Sequence, residues 1–389
     1  MTEQTEVTAA QIARLAGVGR AAVSNWRRRH SGFPAPVGGS DTSPTFSLAE
    51  VERWLRAEGK LAELPAGERL WRSIASSGAG GGSEAGTAGV LAALGTALAA
   101  GKKKAAGVDA KLVDQAAELA GTTSANAVFE ELLGRYLDTY ARDRDTGSAT
   151  SALAGLMAAV AMPRDGADKV VVHDPFCGAG TLLLAAEAAG AGAGDGAWSI
   201  VGQTDDAALA ALAGARLAVA LAAAAVGSRH IVEVSPGDAL LADAHPGLEA
   251  DAVLCQPPSA QRDWGHDELA YDPRWEFGMP PRAEAELAWV QHAVARLRVG
   301  GTAAVLLPPA VAARRPGRRV RAELLRRGVL RAVIGLPVGS AAPYGLSLHL
   351  WVLRRPTLAD PSPSRVLFID QSDADRPGPD RGQDRGQGR

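Results

Sequence analysis

The sequence predicts a doubly wound α/β fold, in which helices cover both faces of a mostly parallel sheet. The first observation is a short apolar run, Val170–Val172, followed by a carboxylate, a glycine-containing turn and an Ala/Leu-rich helix. Such a run suits a strand that is buried on both faces. The second observation is the recurrence of similar runs further along the chain. With the first, these make seven predicted strands, the later six at 198–205, 231–234, 250–255, 303–307, 333–336 and 346–353.

The turn after the first strand has the features of a ligand-binding turn. Asp174-Pro175 ends the strand, because proline has no N–H to donate. Gly178 and Gly180 allow a sharp turn and a close approach of a ligand. In a doubly wound sheet, ligands bind at the carboxyl ends of the strands. A dinucleotide fingerprint would need a small residue in place of Leu183, and the Gly-Lys-Ser/Thr of a P-loop is absent.

The run Asp174-Pro175-Phe176-Cys177-Gly178-Ala179-Gly180-Thr181 resembles the cofactor motif of S-adenosylmethionine-dependent DNA adenine-N6 methyltransferases, especially the modification subunits of type I restriction systems. The resemblance extends over about residues 108–355 and implies a seven-stranded, Rossmann-like methyltransferase sheet. It implies that Asp174 holds the ammonium of S-adenosyl-L-methionine. It also implies a loop that admits the methionine part of the cofactor, formed by Pro175, Phe176, Gly178 and Gly180. An ordinary strand-to-helix turn is the alternative interpretation.

The resemblance implies further cofactor contacts, two of which are altered in this chain. Thr150 lies in the loop expected to touch the carboxylate of the cofactor, where Ser151 replaces the family's proline. The family's glutamate, which holds the ribose hydroxyls by charge-assisted hydrogen bonds, is Thr204 here, with an acid one step later at Asp205. Either Asp205 substitutes after a small shift, or ribose binding is weakened. Asp238 is expected near the adenine amino group of the cofactor.

Gln256-Pro257-Pro258-Ser259 follows the predicted strand 250–255, where the family has Asn-Pro-Pro and an aromatic residue. In the family, an amide carbonyl and a proline carbonyl accept the two N6 hydrogens of a flipped adenine, and the aromatic ring stacks on the base. Gln256 moves the amide by one methylene, and a misplacement of about 1 Å can cost on the order of a hundredfold in rate. Ser259 lacks a stacking face, which is worth roughly 1–3 kcal/mol, unless Trp264 supplies the ring.

Residues 1–60 have the pattern of a small winged helix-turn-helix domain. A helix that starts after Thr8 ends at Gly17, and a second helix begins at about Arg20. This pattern resembles the winged helices of excisionase-like and phage regulatory proteins, in which the second helix enters the major groove of DNA. A docking module with a solvated basic face is the alternative. The predicted DNA-binding residues on the second helix are Ser24, Asn25, Arg27, Arg28 and Arg29.

The remaining chain divides into a flexible linker (61–107), a helical segment (108–165), the methyltransferase domain (166–358) and a mostly disordered tail (359–389). Within the linker, 85–104 is predicted to be a loosely packed, alanine-rich helix, and within the tail 366–369 is strand-like. Eight arginines between Arg314 and Arg331 predict a basic face suited to phosphate contact, or a plain solvated face.

Composition narrows the class of protein. The net charge of −2 means that any nucleic acid must be bound by local patches rather than by a global field. The two cysteines, Cys177 and Cys255, indicate a reducing compartment without a disulfide framework. Neither a secretory leader nor a membrane span is predicted, which favours a cytoplasmic location. No metal site is predicted.

The leading hypothesis is a DNA adenine-N6 methyltransferase with DNA as partner. The target sequence of the DNA would be read by the N-terminal domain or by a separate specificity subunit. One alternative is a catalytically degenerate methyltransferase fold that serves as a DNA-binding regulator. Another is a methyltransferase for a different nitrogen that suits Gln-Pro-Pro-Ser.

Overall fold

A computed structural model describes residues 6–40, 43–60, 65–77, 83–141, 149–163, 169–190, 197–224, 230–258, 261–340, 347–359 and 365–371. The chain forms two compact units, Met1–Arg69 and Leu70–Arg389. Several predicted features lie outside the described residues. They are most of the loop before Thr150, the glycine-rich centre of the predicted linker, Ser259 and the tail from residue 372.

The first unit combines three helices with a small antiparallel sheet. Its elements in chain order are β1 (Glu6–Thr8), α1 (Ala9–Leu15), α2 (Arg20–Arg29), β2 (Pro36–Ser40), β3 (Ser43–Ser47) and α3 (Leu48–Ala57). The strand order is β1-β3-β2. Gly17 has a φ of 65° in the turn between α1 and α2, a conformation that favours glycine. The core contains Ile12, Val23, Phe46 and Leu55, so the apolar face of each helix is buried.

The helices of the following part of the chain are α4 (Ala66–Ala75), α5 (Glu84–Ala99), α6 (Ala110–Thr122), α7 (Ala125–Tyr140), α8 (Ser151–Ala161), α9 (Thr181–Gly190), α10 (Ala207–Ala223), α11 (Ala285–Ala295) and α12 (Arg318–Arg326). The strands are β4 (Lys169–Asp174), β5 (Ala197–Thr204), β6 (Ile231–Pro236), β7 (Ala250–Cys255), β8 (Leu297–Leu307), β9 (Leu330–Gly335), β10 (His349–Arg354) and β11 (Leu367–Asp370). Among the described helices, none combines the length and the apolar character needed to cross a bilayer.

The second unit is built on one sheet with the strand order β11-β9-β10-β8-β7-β4-β5-β6. Only β10 runs antiparallel to its neighbours. The sequence predicts seven strands, whereas the described residues form eight. The additional strand, β11, pairs in parallel with β9 and includes most of 366–369, the run of the predicted tail that is expected to be strand-like. Leu367 and Phe368 are exposed, so backbone pairing holds this strand more than burial does.

Helices cover both faces of the sheet. Along β7, Val253 and Cys255 join one core cluster with α11 and α12, whereas Ala252 and Leu254 join another with α8, α9 and α10. This alternation follows from the period of two along a strand. The predicted mostly parallel sheet between two helical layers is therefore confirmed.

Helix α5 lies within the segment predicted as a linker, and it packs tightly rather than loosely. Ser83 caps it by accepting a hydrogen bond from the Gly86 N–H at 3.2 Å. Small residues let its neighbours approach closely. A Cβ at Gly95 would lie 2.8 Å from Cδ2 of Phe129 on α7 and 3.1 Å from the Ala215 Cβ on α10. The predicted helix within 85–104 is confirmed, but the expected loose packing was wrong, because a helix that is apolar on most sides has little amphipathic periodicity to indicate its burial.

This close packing predicts opposite effects for two glycines of α5. Gly95→Ala should lower the free energy of unfolding by about 1–3 kcal/mol, because the new methyl group displaces the Phe129 ring. Gly89→Ala is the matched control. Apart from the backbone of α5 itself, no atom of the described residues lies within 4 Å of its would-be Cβ, so helix propensity should raise stability by about 0.5–1 kcal/mol. Guanidinium unfolding midpoints measure both. Equal stability of the two variants would contradict the described packing.

Candidate functional site

The cofactor motif and the altered catalytic motif lie at one edge of the sheet. Strands β4 and β7 are parallel neighbours, with Val172 opposite Ala252 and His173 opposite Val253. Strand β4 ends at Asp174, and β7 is followed directly by Gln256. The carboxyl ends of the two strands therefore carry both motifs side by side, at the position where α/β sheets bind ligands.

Asp174 is fully buried and only half satisfied. Its Oδ1 accepts a hydrogen bond from the Phe176 N–H at 3.0 Å, and its Oδ2 has no partner among the described residues. Burial raises the pKa of Asp174 to about 8, although the Phe176 N–H opposes the shift. Burial, and then the charge of Asp174, raise the thiol pKa values of Cys177 and Cys255. Asp174 thus lies close to the carboxyl ends of both β4 and β7, and one of its oxygens is not hydrogen-bonded by the described residues.

The turn after Asp174 contains two glycines whose backbone is free of a Cβ atom. Gly178 and Gly180 have φ values of 49° and 82°, in the left-handed region that favours glycine. A Cβ at Gly180 would approach the Ala213 Cβ at 3.3 Å. The Cys177 N–H donates to the Gln203 carbonyl at 2.8 Å, which ties the turn to β5.

A partly buried arginine, whose side chain is 14% exposed, braces this turn, and the sequence analysis missed it. Arg216 of α10 donates to the Ala179 carbonyl and to Oγ1 of Thr181, each at 3.0 Å. Its other nitrogens make two hydrogen bonds to Glu130 of α7, at 2.6 and 2.7 Å. A polar residue inside the apolar run 207–226 was the available signal, since a buried arginine requires partners.

A cavity of about 850 Å³ is lined by residues of both the cofactor motif and the catalytic motif. Phe176 of the Asp174 turn, Asp205 after β5 and Pro258 after β7 line it, together with the amino end of α5. The volume lies in the range of small-molecule sites, roughly 300–1,000 Å³. The remaining lining residues are Ser83, Glu84, Ala85, Asp206, Ala207, Ala208 and Leu209.

The two candidates for the ribose position differ in exposure. Thr204 is buried, and its hydroxyl oxygen has no hydrogen-bond partner among the described atoms. Asp205 is exposed and borders the cavity. Asp206 is used locally, because its Oδ1 accepts the N–H groups of Ala208 and Leu209 at the start of α10. Asp205 is therefore the better placed carboxylate for a ligand in this cavity.

Two other predicted cofactor residues serve local structure. Thr150 caps α8 by accepting the Leu153 N–H at 3.3 Å, and its hydroxyl donates to the Ser340 carbonyl at 3.0 Å. Oδ1 of Asp238 accepts the Leu240 N–H at 2.8 Å in the turn that follows β6. Their contacts with a cofactor stay predictions.

Gln256 is nearly buried, and its Oε1 has no hydrogen-bond partner among the described residues. It lines a second cavity with Pro257, Pro258 and Glu286. This cavity measures about 30 Å³, enough for about two water molecules and far too small for a nucleobase. A base can enter only if the loop or its neighbours move. Leu306, Leu307, Pro308 and Leu348 complete the lining.

Trp264 cannot supply the ring that Ser259 lacks. Its side chain is fully buried, and its Nε1–H donates to the Arg282 carbonyl at 3.0 Å. Its ring packs edge-on against Trp275, with 5.8 Å between centroids. The sequence could not reveal this, since an aromatic residue near a site fits a core position as well as a stacking position.

Glu286 of α11 lines the small cavity with Gln256, and the sequence analysis missed it. Oε1 of Glu286 pairs with Nη1 of Arg314 at 3.0 Å, and the Glu286 side chain is only 11% exposed. An acid among the apolar residues of α11 was a local signal. Its partner is 28 positions away and could not be predicted from spacing.

Two buried histidines near the end of β4, His173 and His292, have lowered pKa values. Burial lowers the pKa of His173 to about 3, although a contact of its Nδ1 with the Val201 carbonyl at 3.1 Å opposes the shift. Burial also lowers the pKa of His292 well below its usual value, and the adjacent Arg274 adds to this effect. Neither imidazole therefore offers Asp174 a positive charge.

In the first unit, the predicted DNA-binding residues share one exposed face of α2. Ser24, Asn25 and the three arginines Arg27–Arg29 are exposed, while Val23 points into the core. Nη2 of Arg28 donates to Oδ1 of Asn25 at 2.5 Å, which leaves the amide NH₂ of Asn25 available as a donor.

The sequence matches the model of the N-6 DNA Methylase family over residues 125–383, more than half of the chain. It is also similar to the methylase subunit of the type I restriction enzyme HindI from Haemophilus influenzae. The two are 27% identical over 128 residues, which cover 32% of this chain and 28% of that subunit. The chain thus matches less than a third of that relative.

Two solved structures show the same fold at low identity. A protein from Listeria monocytogenes, described as a class I S-adenosylmethionine-dependent methyltransferase, has a TM-score of 0.57 at 16% identity, over 78% of this chain and 92% of that one. The methyltransferase subunit of a type I restriction-modification system from Streptococcus thermophilus has a TM-score of 0.54 at 18% identity, over 94% and 79% of the two chains. With the family match, the chain belongs to the N-6 DNA methylase family.

Proposed function

We propose that this chain is an S-adenosylmethionine-dependent DNA methyltransferase that methylates N6 of an adenine flipped out of the duplex. One observation carries the proposal. The cavity of about 850 Å³ is bordered by Phe176 of the cofactor motif and by Pro258 of the catalytic motif, so a cofactor and a base could meet there. Membership of the N-6 DNA methylase family supports the same chemistry.

The residues present fit the cofactor. The unpartnered Oδ2 of Asp174 would accept the ammonium of S-adenosylmethionine, whose charge would offset the cost of burying the carboxylate. Gly178 and Gly180 leave room for its methionine part, and Asp205 would hold the ribose hydroxyls. When bound, the cofactor supplies a methyl group activated by its positive sulfur.

The catalytic loop would prepare the amine. Adenine N6 is a weak nucleophile because its lone pair is delocalised into the ring. The unpartnered Oε1 of Gln256 would accept one N6 hydrogen, and the backbone carbonyl of Pro257 would accept the other. These two bonds would orient the nitrogen and concentrate its lone pair toward the methyl group. The cavity at Gln256 must first widen, so loop opening belongs to base entry.

Duplex DNA would be contacted by the exposed face of α2. This assignment rests on three exposed arginines in the last turn of a short helix. Reading of the target sequence by a separate specificity subunit is the alternative.

Asp174 should control cofactor binding. Asp174→Asn should abolish binding of S-adenosylmethionine in calorimetry, because the amide cannot offset an ammonium charge. Since the pKa of Asp174 is about 8 in the free protein, binding at pH 6–7 should release a proton. The apparent affinity should then rise by about tenfold per pH unit in that range. Asp205→Asn, the control, should weaken binding but keep this pH dependence. A pH-independent affinity of the unaltered protein would refute the role of Asp174.

The catalytic loop should respond to restoration of the family motif. Gln256→Asn with Ser259→Phe should raise adenine-N6 methylation, measured as transfer of a labelled methyl group to mixed genomic DNA. Asparagine returns the amide to the shorter reach, and phenylalanine restores a stack worth roughly 1–3 kcal/mol. The effects should couple, because both groups hold one base. If the double variant binds cofactor and DNA but transfers no methyl group, a DNA-binding regulator becomes the better function.

The first unit should contribute to DNA affinity. Replacing Arg27, Arg28 and Arg29 by glutamine in the full chain should weaken binding to all duplexes and flatten its salt dependence. Replacing Ser24 and Asn25 should instead relax sequence preference. Arg56→Gln is the matched control, since Arg56 is exposed on α3 and pairs with Glu52. Unchanged mobility shifts of the triple variant would favour a docking module.

A further inference from the structure

The arginine-rich segment between Arg314 and Arg331 contains arginines in two different electrostatic states. Several are already paired within the second unit. Arg321 lies 3.5 Å from Glu284, Arg326 pairs with Glu323, and Arg327 contacts both Glu323 and Glu276. These internal pairs reduce the charge that the carboxyl-terminal half of α12 presents to solvent.

Arg315, Arg318 and Arg319 form a second group, called here the arginine cluster. All three side chains are exposed, and none has an ion pair or side-chain hydrogen bond with the described part of the chain. Arg318 and Arg319 occupy the first turn of α12, which contains no acidic residue. The amino end of a helix carries a partial positive charge, so cations in the first turn oppose the helix dipole. The arginine cluster therefore concentrates positive charge where the fold itself gains no stability from it.

The arginine cluster is connected to the catalytic loop through Arg314. Arg314 pairs with Glu286, which lines the small cavity beside Gln256. Arg315 is the next residue, and Arg318 follows Arg314 by four residues, so the Cα atoms of Arg314 and Arg318 are at most about 14 Å apart. Successive nucleotides of one DNA strand rise by about 3.4 Å, so a span of this length, counted from Arg314, covers about four nucleotides.

We propose that the arginine cluster binds the phosphate backbone of DNA a few nucleotides from the target base. This proposal rests on the proposed function for the identity of the polyanion and deepens it by naming a second DNA contact. Unpaired guanidinium groups, the positive helix end and the adjacent base-binding loop all favour phosphate at this surface. The contact would position the duplex against the loop, whatever its sequence.

The test compares two double variants of the full chain that remove equal charge from one helix. Arg318→Gln with Arg319→Gln removes two residues of the arginine cluster, and Arg326→Gln with Arg327→Gln removes two that are already paired. Affinity for a short duplex of mixed sequence is measured from about 50 to 200 mM salt. Both pairs are also built in a chain with Arg27, Arg28 and Arg29 replaced by glutamine, which removes the contribution of α2.

In both backgrounds, the plot of log affinity against log salt should be less steep for the Arg318/Arg319 variant. The magnitude of its negative slope should fall by about 1.8, or about 0.9 for each lost phosphate contact. Its melting temperature should stay equal or rise, because unfavourable charges leave the first turn. The Arg326/Arg327 variant should keep the parent slope. An unchanged slope for the Arg318/Arg319 variant, or an equal fall for both variants, would overturn the proposal.

Two further measurements separate this proposal from the proposed function. Calorimetry of S-adenosylmethionine should give the same affinity for the Arg318/Arg319 variant as for the parent. In methyl-transfer assays, the Arg318/Arg319 variant should show a higher KM for DNA than the parent. If the parent transfers no methyl group but the slope still falls in the Arg318/Arg319 variant alone, the methyltransferase function fails and the DNA surface stands.

Discussion

The parallel pairing of β4 with β7 is the constraint on which the candidate site depends. A buried carboxylate fixes its register. Oδ2 of Asp251 accepts the Val171 N–H at 2.8 Å, and Oδ1 accepts the Nε–H of Arg298 on β8. A slip by one residue would break this contact and turn every side chain of the strand to the opposite helical layer. Asp251 thus holds three strands at their far ends, and the register it sets determines where Asp174 and Gln256 emerge.

The sequence was sufficient for the features that depend on local pattern. Buried parallel strands appear as continuous apolar runs, and every residue of β7 is indeed buried. Because the carboxyl ends of parallel strands meet at one edge, the residues after β4 and β7 could be expected to face one site. Features without a local pattern were not predictable. The pairing of β11 with β9 is one such feature, although the apolar run of β11 was itself expected to be strand-like. The position of the amino end of α5 at the cavity is another, since it depends on tertiary packing.

The arginines after β8 include both contacts that the sequence could predict and contacts that it could not. Glu323 is three and four residues before Arg326 and Arg327, a spacing that predicts pairing on a helix. The partners of Arg314 and Arg321 lie on or beside α11, dozens of positions earlier in the chain, and only the fold brings them together. Sequence alone therefore shows one long basic segment, whereas the structure distinguishes the arginines that pair with acidic side chains from those that have no such partner among the described residues.

Asp174, the buried carboxyl group at the end of β4, has no cationic partner among the described residues. A buried carboxylate needs a positive partner or must stay protonated, and the raised pKa of Asp174 indicates the second state in the free protein. The residue before it cannot provide the charge, because burial keeps His173 neutral. Arg216, which braces the same turn, is already engaged by Glu130. A neutral ligand would leave Oδ2 of Asp174 without a counter-charge, whereas an ammonium would complete its pairing. Under the proposed function, the ammonium of the cofactor would be the cation that pairs with Asp174.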